Sequence, residues 1–278
     1  FIKKFNTMNN TKINGAESLV KTMINAEINV CFTNPGTSEM HFVAALDKHP
    51  KMRSVLCLFE GGATGAADGY YRMLDKPAST LLHLGPGLAN GLANLHNAKK
   101  ANSGVFNVVG EHALEHIKLN APLTSDIEGI AKPVSHWVKT CKSSLDVGKN
   151  AAEAIKESLS PPGKVSTLIL PGDTAWNEGK IAKSLKNYER DIIDLEKIKI
   201  AAEELNKAKN PMILVGGKAL EEKKIKITAE ELNKAKNPMI LIGGKALDEK
   251  NLILASKIAS KYNCSIMTDF FNAKLERG

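Results

Sequence analysis

Residues 52–72 read MRSVLCLFEGGATGAADGYYR. The apolar, β-rich run 53–59 stops at Glu60 and passes at once into small residues and two tyrosines, so a strand feeds a helix (61–74) with almost no turn between them. The same alternation continues on both sides. Upstream, Asn14-x-x-Glu17 has the capping-box form, with Leu19, Met23 and Ile24 as the helical stripe behind it. A strand at 28–33 then turns through NPGTSEM (34–40) into a helix at 38–47. Downstream come a strand at 78–83, a helix at 88–100 and a strand at 104–109. Residues 110–145 lack a clear period and contain Pro122 and Pro133; a helix at 146–159 then leads to the strand VSTLILP at 165–171. Strands alternating with helices on short turns predict an α/β fold with a doubly wound parallel sheet, its strands apolar throughout because both faces are covered.

Composition narrows the function classes. A chain of 278 residues with 43% hydrophobic content can bury a full core. The net charge of +8 comes from lysines spread along charged helical stretches such as 197–208, and aromatics make up only 5%, which argues against nucleic acid as a partner. No apolar stretch approaches the roughly 18 residues of a membrane-spanning helix, and the N-terminal FIKKFNT lacks an apolar export segment, so a cytoplasmic location with no membrane partner is expected. Cys31, Cys57, Cys141 and Cys264 lie far apart with no C-x-x-C pair, which predicts free thiols.

Residues 1–11 are read as a leader, 12–171 as the first domain, 172–194 as a linker and 195–278 as a partial second domain. That second segment contains a tandem duplication. KIKIAAEELNKAKNPMILVGGKALEEK (197–223) is followed without a gap by KIKITAEELNKAKNPMILIGGKALDEK (224–250), the copies differing only at Ala201/Thr228, Val215/Ile242 and Glu221/Asp248. Diverged repeats are seldom this alike, so the reading is a recent duplication, with one copy displaced or added as an extra edge strand.

In open α/β sheets, ligands bind beyond the carboxyl ends of the strands. Glu60 stands at such an end, and NPGTSE (34–39), HLGPG (83–87) and VVGEH (108–112) are the loops after neighbouring strands. A carboxylate beside apolar Leu58 and Phe59 is expected to be desolvated and to have a raised pKa, suited to donating or sharing a proton. Gly61, Gly62, Ala63, Gly65, Ala66 and Ala67 let the helix after Glu60 approach another surface closely, at a cost in helix stability. A second chain or a flat ligand would make use of that.

NPGTSEM, LFEGGATGAADGYYR, KPASTLLHLGPGLANGLANLHNAKK and GEHALEHIKLNAPLTSDIEGIAKPVSHWVKT resemble, in order and spacing, the N-terminal pyrimidine-binding domain of thiamine-diphosphate-dependent enzymes. The likeness is greatest to acetolactate synthase large subunits and to the benzoylformate decarboxylase group, and it extends over about residues 12–278. It implies that Glu60 bonds N1′ of the aminopyrimidine and favours the imino tautomer, which removes the thiazolium proton to give the ylid. Pro35, Gly36 and Thr37 match the loop that presents a hydroxyl to the substrate side. His83 falls where the decarboxylases keep a site histidine, and Gly85, Pro86, Gly87 and Asn90 match the turn that passes the pyrimidine. The resemblance implies activity on 2-keto acids, by decarboxylation and carboligation, and a homodimer. It also implies a diphosphate and Mg²⁺ domain absent from these 278 residues, which a separate chain could supply. Without that domain the chain is expected to be inactive. FAD is left open, since only part of the central domain is present.

Three alternatives compete: a benzoylformate decarboxylase-like enzyme, a non-catalytic folded fragment, and a zinc peptidase suggested by His112-x-x-Glu115-His116. The zinc reading needs a regular helix under those residues and a third ligand downstream.

Overall fold

The computed structural model describes residues 12–182, 212–216, 239–243 and 247–268, with single positions at 196, 199, 200 and 203. The chain divides into two compact units, one formed essentially by residues up to 187 and one by those from 188 onward.

The first unit runs α1 (Gly15–Asn25), β1 (Val30–Asn34), a 3-10 turn (Thr37–Glu39), α2 (Met40–Asp47), β2 (Arg53–Leu56), α3 (Glu60–Leu74), β3 (Ala78–Leu82) and α4 (Leu84–Lys100). It continues with β4 (Val105–Glu111), α5 (Leu114–Ile117), α6 (Ile127–Ala131), β5 (Trp137–Thr140), α7 (Val147–Leu159), β6 (Val165–Pro171) and α8 (Gly172–Trp176). Six parallel strands form one sheet in the order β2-β1-β3-β4-β6-β5. The doubly wound parallel sheet read from the sequence is therefore present.

Alternation along the central strands divides the core between the two faces. Cys31, Leu81, Phe106, Val108 and Leu168 pack with Leu19 and Met23 of α1, Phe42 of α2 and Ile155 of α7. Val30, Leu82, Val105, Val109 and Ile169 pack with Ala63 and Ala67 of α3, Leu88 and Leu95 of α4 and Ile127 of α6. A buried polar row corrects the expectation of wholly apolar strands. The Thr80 hydroxyl donates to Asn107, Asn107 Nδ2 donates to Thr167 Oγ1 at 3.3 Å, and Thr167 Oγ1 meets Ser135 Oγ at 2.7 Å. These groups satisfy one another, which removes most of the cost of burying them.

Two boundaries differ from the sequence reading. β5, with only WVKT, lies within the stretch 110–145 read as irregular; it is a short edge strand held by β6 alone, too brief to show a period. The start of the expected linker belongs to the first unit. There Gly179 N–H donates to Ile13 O at 2.8 Å, Gly15 N–H donates to Asn177 O at 3.0 Å, and the Ser18 hydroxyl donates to Lys180 O. Cys31, Cys57 and Cys141 are free thiols, as expected; Cys31 and Cys141 are buried, and burial pushes the Cys31 thiol up to about 12.

In the second unit β7 (Met212–Gly216), β8 (Met239–Gly243), α9 (Glu249–Tyr262) and β9 (Ser265–Thr268) are described. The strands form a parallel sheet in the order β7-β8-β9. The two copies of the duplicated strand pair with each other at matching positions: Met212 with Met239, Leu214 with Leu241, Gly216 with Gly243. Among the described residues the first copy thus lies at the sheet edge, as an added strand would. The remainder of the duplication falls outside the described residues, as do the leader 1–11 and most of 183–211.

Candidate functional site

The strand order places the carboxyl ends of β2, β1, β3 and β4 side by side, so the loops containing Glu60, NPGTSE, HLGPG and Gly110 are neighbours. The chain reverses direction across the sheet between β1 and β3, where crevices form in folds of this type. Gly36 and His83 meet there. A side chain on Gly36 would coincide with the His83 ring, so the imidazole lies flat against the glycine backbone.

Glu60 opens α3 after Phe59, whose backbone is extended. Asn90, one and a half turns into α4, donates its amide to Glu60 Oε2 at 3.0 Å. Glu60 Oε1 is 3.3 Å from where a side chain on Gly87 would begin, and His83 Cβ is 3.5 Å from the same point. Glu60, His83, Gly87 and Asn90 therefore border one space. Gly87 N–H donates to His83 O at 2.8 Å, and Leu84, between them, is held at a positive φ of 55° while buried. A leucine in the left-handed region is strained, and such outliers cluster at functional sites. Gly85 has no room for a side chain because Ser125 lies over it. Pro86 and Thr37 are exposed and Pro35 is partly so.

The apolar cover expected beside Glu60 is not supplied by its neighbours. Leu58 and Phe59 are 93% and 56% exposed and Glu60 itself is partly exposed. The small residues of α3 serve mainly this chain. Asn94 Nδ2 donates to Gly61 O at 2.7 Å and Thr64 Oγ1 to Gly91 O at 3.1 Å, and a side chain on Gly65 would begin 2.9 Å from Asn94. Gly62 and Gly69 face open space.

Sequence reasoning missed Glu39 and Gly110. Glu39 has a side chain only 1% exposed, and its Oε2 accepts the Gly36 N–H at 2.7 Å and meets His83 Nδ1 at 2.8 Å. Burial pushes its carboxyl above the ordinary glutamate value, against the Gly36 N–H and His83, which favour the charged form. Glu111, at the end of β4, is pushed up by burial too, with the Glu39 charge adding to it. Glu39 was legible in part: an acidic residue three after Gly36 can reach back to that N–H. Gly110 offered no signal beyond being a glycine at a strand end.

The zinc reading loses its geometry. α5 is a single turn that begins after His112, His112 Nε2 is bonded to Pro122 O at 3.1 Å, and Glu115 is exposed and paired with Lys118 at 2.9 Å. Among the described residues no group of three or more His, Cys, Asp or Glu could hold a metal ion, and no helix is long and apolar enough to cross a membrane.

Comparison with known proteins places this geometry in context. Residues 13–131 match the family model described as "Thiamine pyrophosphate enzyme, N-terminal TPP binding domain". A Mycobacterium tuberculosis protein, IlvX, provisionally named as an acetolactate synthase large subunit, is 56% identical over 60% of this chain and 32% of its own length. Benzoylformate decarboxylase of Pseudomonas aeruginosa is 31% identical over 51% of this chain and 27% of its own length. The solved structure of a thiamine diphosphate-dependent 4-hydroxybenzoylformate decarboxylase from Rhodococcus jostii shares the fold, with a TM-score of 0.69 at 23% identity over 84% of this chain and 44% of that one. The matches thus span about a third of the curated relatives' length.

Proposed function

We propose, on the premise that residues 13–131 belong to the thiamine pyrophosphate enzyme family as its N-terminal TPP binding domain, that this chain supplies the pyrimidine half of a thiamine diphosphate site acting on 2-keto acids. The observation that carries the reading is the convergence on Glu60 of two residues of the turn and helix after β3: Gly87, whose side chain would begin 3.3 Å from Glu60 Oε1, and Asn90, which donates to Oε2. A side chain at Gly87 would crowd the Glu60 carboxyl, while Asn90 holds its other oxygen at 3.0 Å. When bound, thiamine diphosphate supplies the carbon nucleophile for 2-keto acid decarboxylation and carboligation.

The chain's own residues have separate tasks. Glu60 holds and shares a proton at the ring nitrogen, and the Asn90 amide fixes the plane of its carboxyl, so the proton is aimed before the ring arrives. Gly87 keeps the turn low beside the Glu60 carboxyl, and Gly85 lets the turn pack under Ser125. His83, whose Cβ lies beside Gly87, faces the substrate. Pro35, Gly36 and Thr37 form the rim next to it. Diphosphate and Mg²⁺ ligands come from a domain outside these residues, on the same or another polypeptide, and a second copy of the chain packs near the open face of Gly62 and Gly69. The acetolactate synthase-like reading is preferred to the benzoylformate decarboxylase-like one on the 56% identity to IlvX, while His83 keeps the second in play.

The test is calorimetric titration of the chain with thiamine diphosphate and Mg²⁺, then carbon dioxide release from pyruvate after addition of a diphosphate-binding domain in trans. Binding and turnover that both depend on Glu60 support the reading. A chain that folds yet binds no thiamine compound, alone or complemented, is the non-catalytic fragment instead.

A further inference from the structure

We propose that Glu39 is the positioning residue for His83, holding the ring through Nδ1–H so that Nε2 is the nitrogen presented to the space bordered by Glu60 and Gly87. The proposal rests on the reading of that space as the cofactor and substrate site.

The placement of Glu39 Oε2 is set twice. The Gly36 N–H at 2.7 Å demands an acceptor there, and His83 Nδ1 lies 2.8 Å from the same oxygen. An oxygen already accepting from a backbone donor is matched best by a second donor, which puts the imidazole proton on Nδ1. The ring cannot turn freely, because it is packed against Gly36, where a side chain would coincide with its Nδ1 and Cε1. Nor can the carboxyl. Glu39 Oε1 is buried with no hydrogen-bond partner among the described residues, pressed against Gly110 where a side chain would coincide with it.

A carboxylate kept dry with one oxygen unpartnered is costly. Both bonds that offset the cost converge on the β1–β3 crevice, one to the loop backbone and one to His83. Of the ring's polar atoms Nε2 then remains, on a side chain 24% exposed. With the proton on Nδ1, Nε2 carries the lone pair. It can take a proton from a bound hydroxyl or water and return it, with the Glu39 charge balancing the imidazolium meanwhile.

The experiment is long-range ¹H–¹⁵N NMR of the full chain labelled with ¹⁵N-histidine, at a pH where the imidazoles are neutral and without ligand. His83 is identified by the signal lost in His83→Asn. The wild-type chain should show Nδ1 protonated and Nε2 unprotonated. Glu39→Gln, whose amide oxygen stays on the Gly36 N–H, should keep that pattern. Glu39→Leu removes the acceptor and should move His83 to the Nε2–H form that free imidazole prefers. A wild-type ring protonated on Nε2 overturns the proposal, and so does a tautomer unmoved by Glu39→Leu in a chain that still folds. If the leucine variant does not fold, the wild-type and glutamine spectra decide. The tautomer is read without thiamine diphosphate, so a failure of the cofactor reading appears separately, in the titration described above.

Discussion

A methyl group on Gly110 would occupy the position of the Glu39 carboxyl. One residue lies on β4 and the other in the turn after β1, so the seat of the buried acid is shared by two strands that do not pair with each other. Gly110→Ala should therefore destabilise the first unit by about 1–3 kcal/mol, as overpacking does. In a Glu39→Ala background the same change should cost clearly less, because the competing carboxyl is gone. Urea unfolding of the four variants in this cycle measures the coupling. Equal costs in the two backgrounds would mean that the chain relaxes around Gly110.

The buried acids predict a pH dependence. Burial pushes Glu39 and Glu111 above the ordinary value of 4.5, so between 4.5 and their folded values the folded chain binds more protons than the unfolded one. Their contribution to stability is greatest at low pH and declines as pH rises through that window. Unfolding free energies from pH 4.5 to 8 should show a decline that is shallower in Glu39→Gln and shallower again in Glu39→Gln/Glu111→Gln. Identical slopes in all three chains would contradict the assignment.

Asn90 is exposed and bonds Glu60, so its removal should separate function from stability. Asn90→Ala should leave the unfolding free energy within about 0.5 kcal/mol of wild type, as exposed substitutions do. In the complemented enzyme it should lower turnover, though by less than Glu60→Gln, for which a loss of at least about a hundredfold is expected. Carbon dioxide release from pyruvate gives both values. An Asn90→Ala loss as large as that of Glu60→Gln would make the amide a direct participant.

Deletion of residues 224–250 removes β8 and leaves its copy β7, whose sequence MILVG differs from MILIG at one position. β7 should then pair with β9, with Met212 opposite Ser265 as Met239 is now. The first unit should unfold at its wild-type temperature. Loss of structure across residues 12–171 in the deletion variant would make the duplication integral to the fold.

The open face of α3 at Gly62 and Gly69 predicts self-association. Sedimentation at micromolar concentration should give a dimer, and Gly62→Arg should shift it to monomer while leaving the circular dichroism unchanged. A wild-type chain that is strictly monomeric and fully folded would exclude this face as a stable interface.

The sequence by itself determined the α/β class, the parallel sheet and the loops on which the site is built. Each follows from local pattern: apolar runs, small-residue helices, and glycines at strand ends. It also determined that Glu60, His83, Gly87 and Asn90 follow the carboxyl ends of parallel strands, the end of such sheets where ligands bind. Only the tertiary structure decided what these residues touch. Glu39 reaches His83 across 44 residues of chain, and Asn90 reaches Glu60 across 30. The Leu58 and Phe59 side chains, apolar in sequence, stand exposed beside the acid they were expected to cover. β5 and the packing of residues 172–180 on α1 likewise depend on partners distant in the chain. The reason is physical: hydrogen-bond geometry and burial depend on which strands become neighbours, and a local pattern gives a strand's direction and face without its distance to any one side chain.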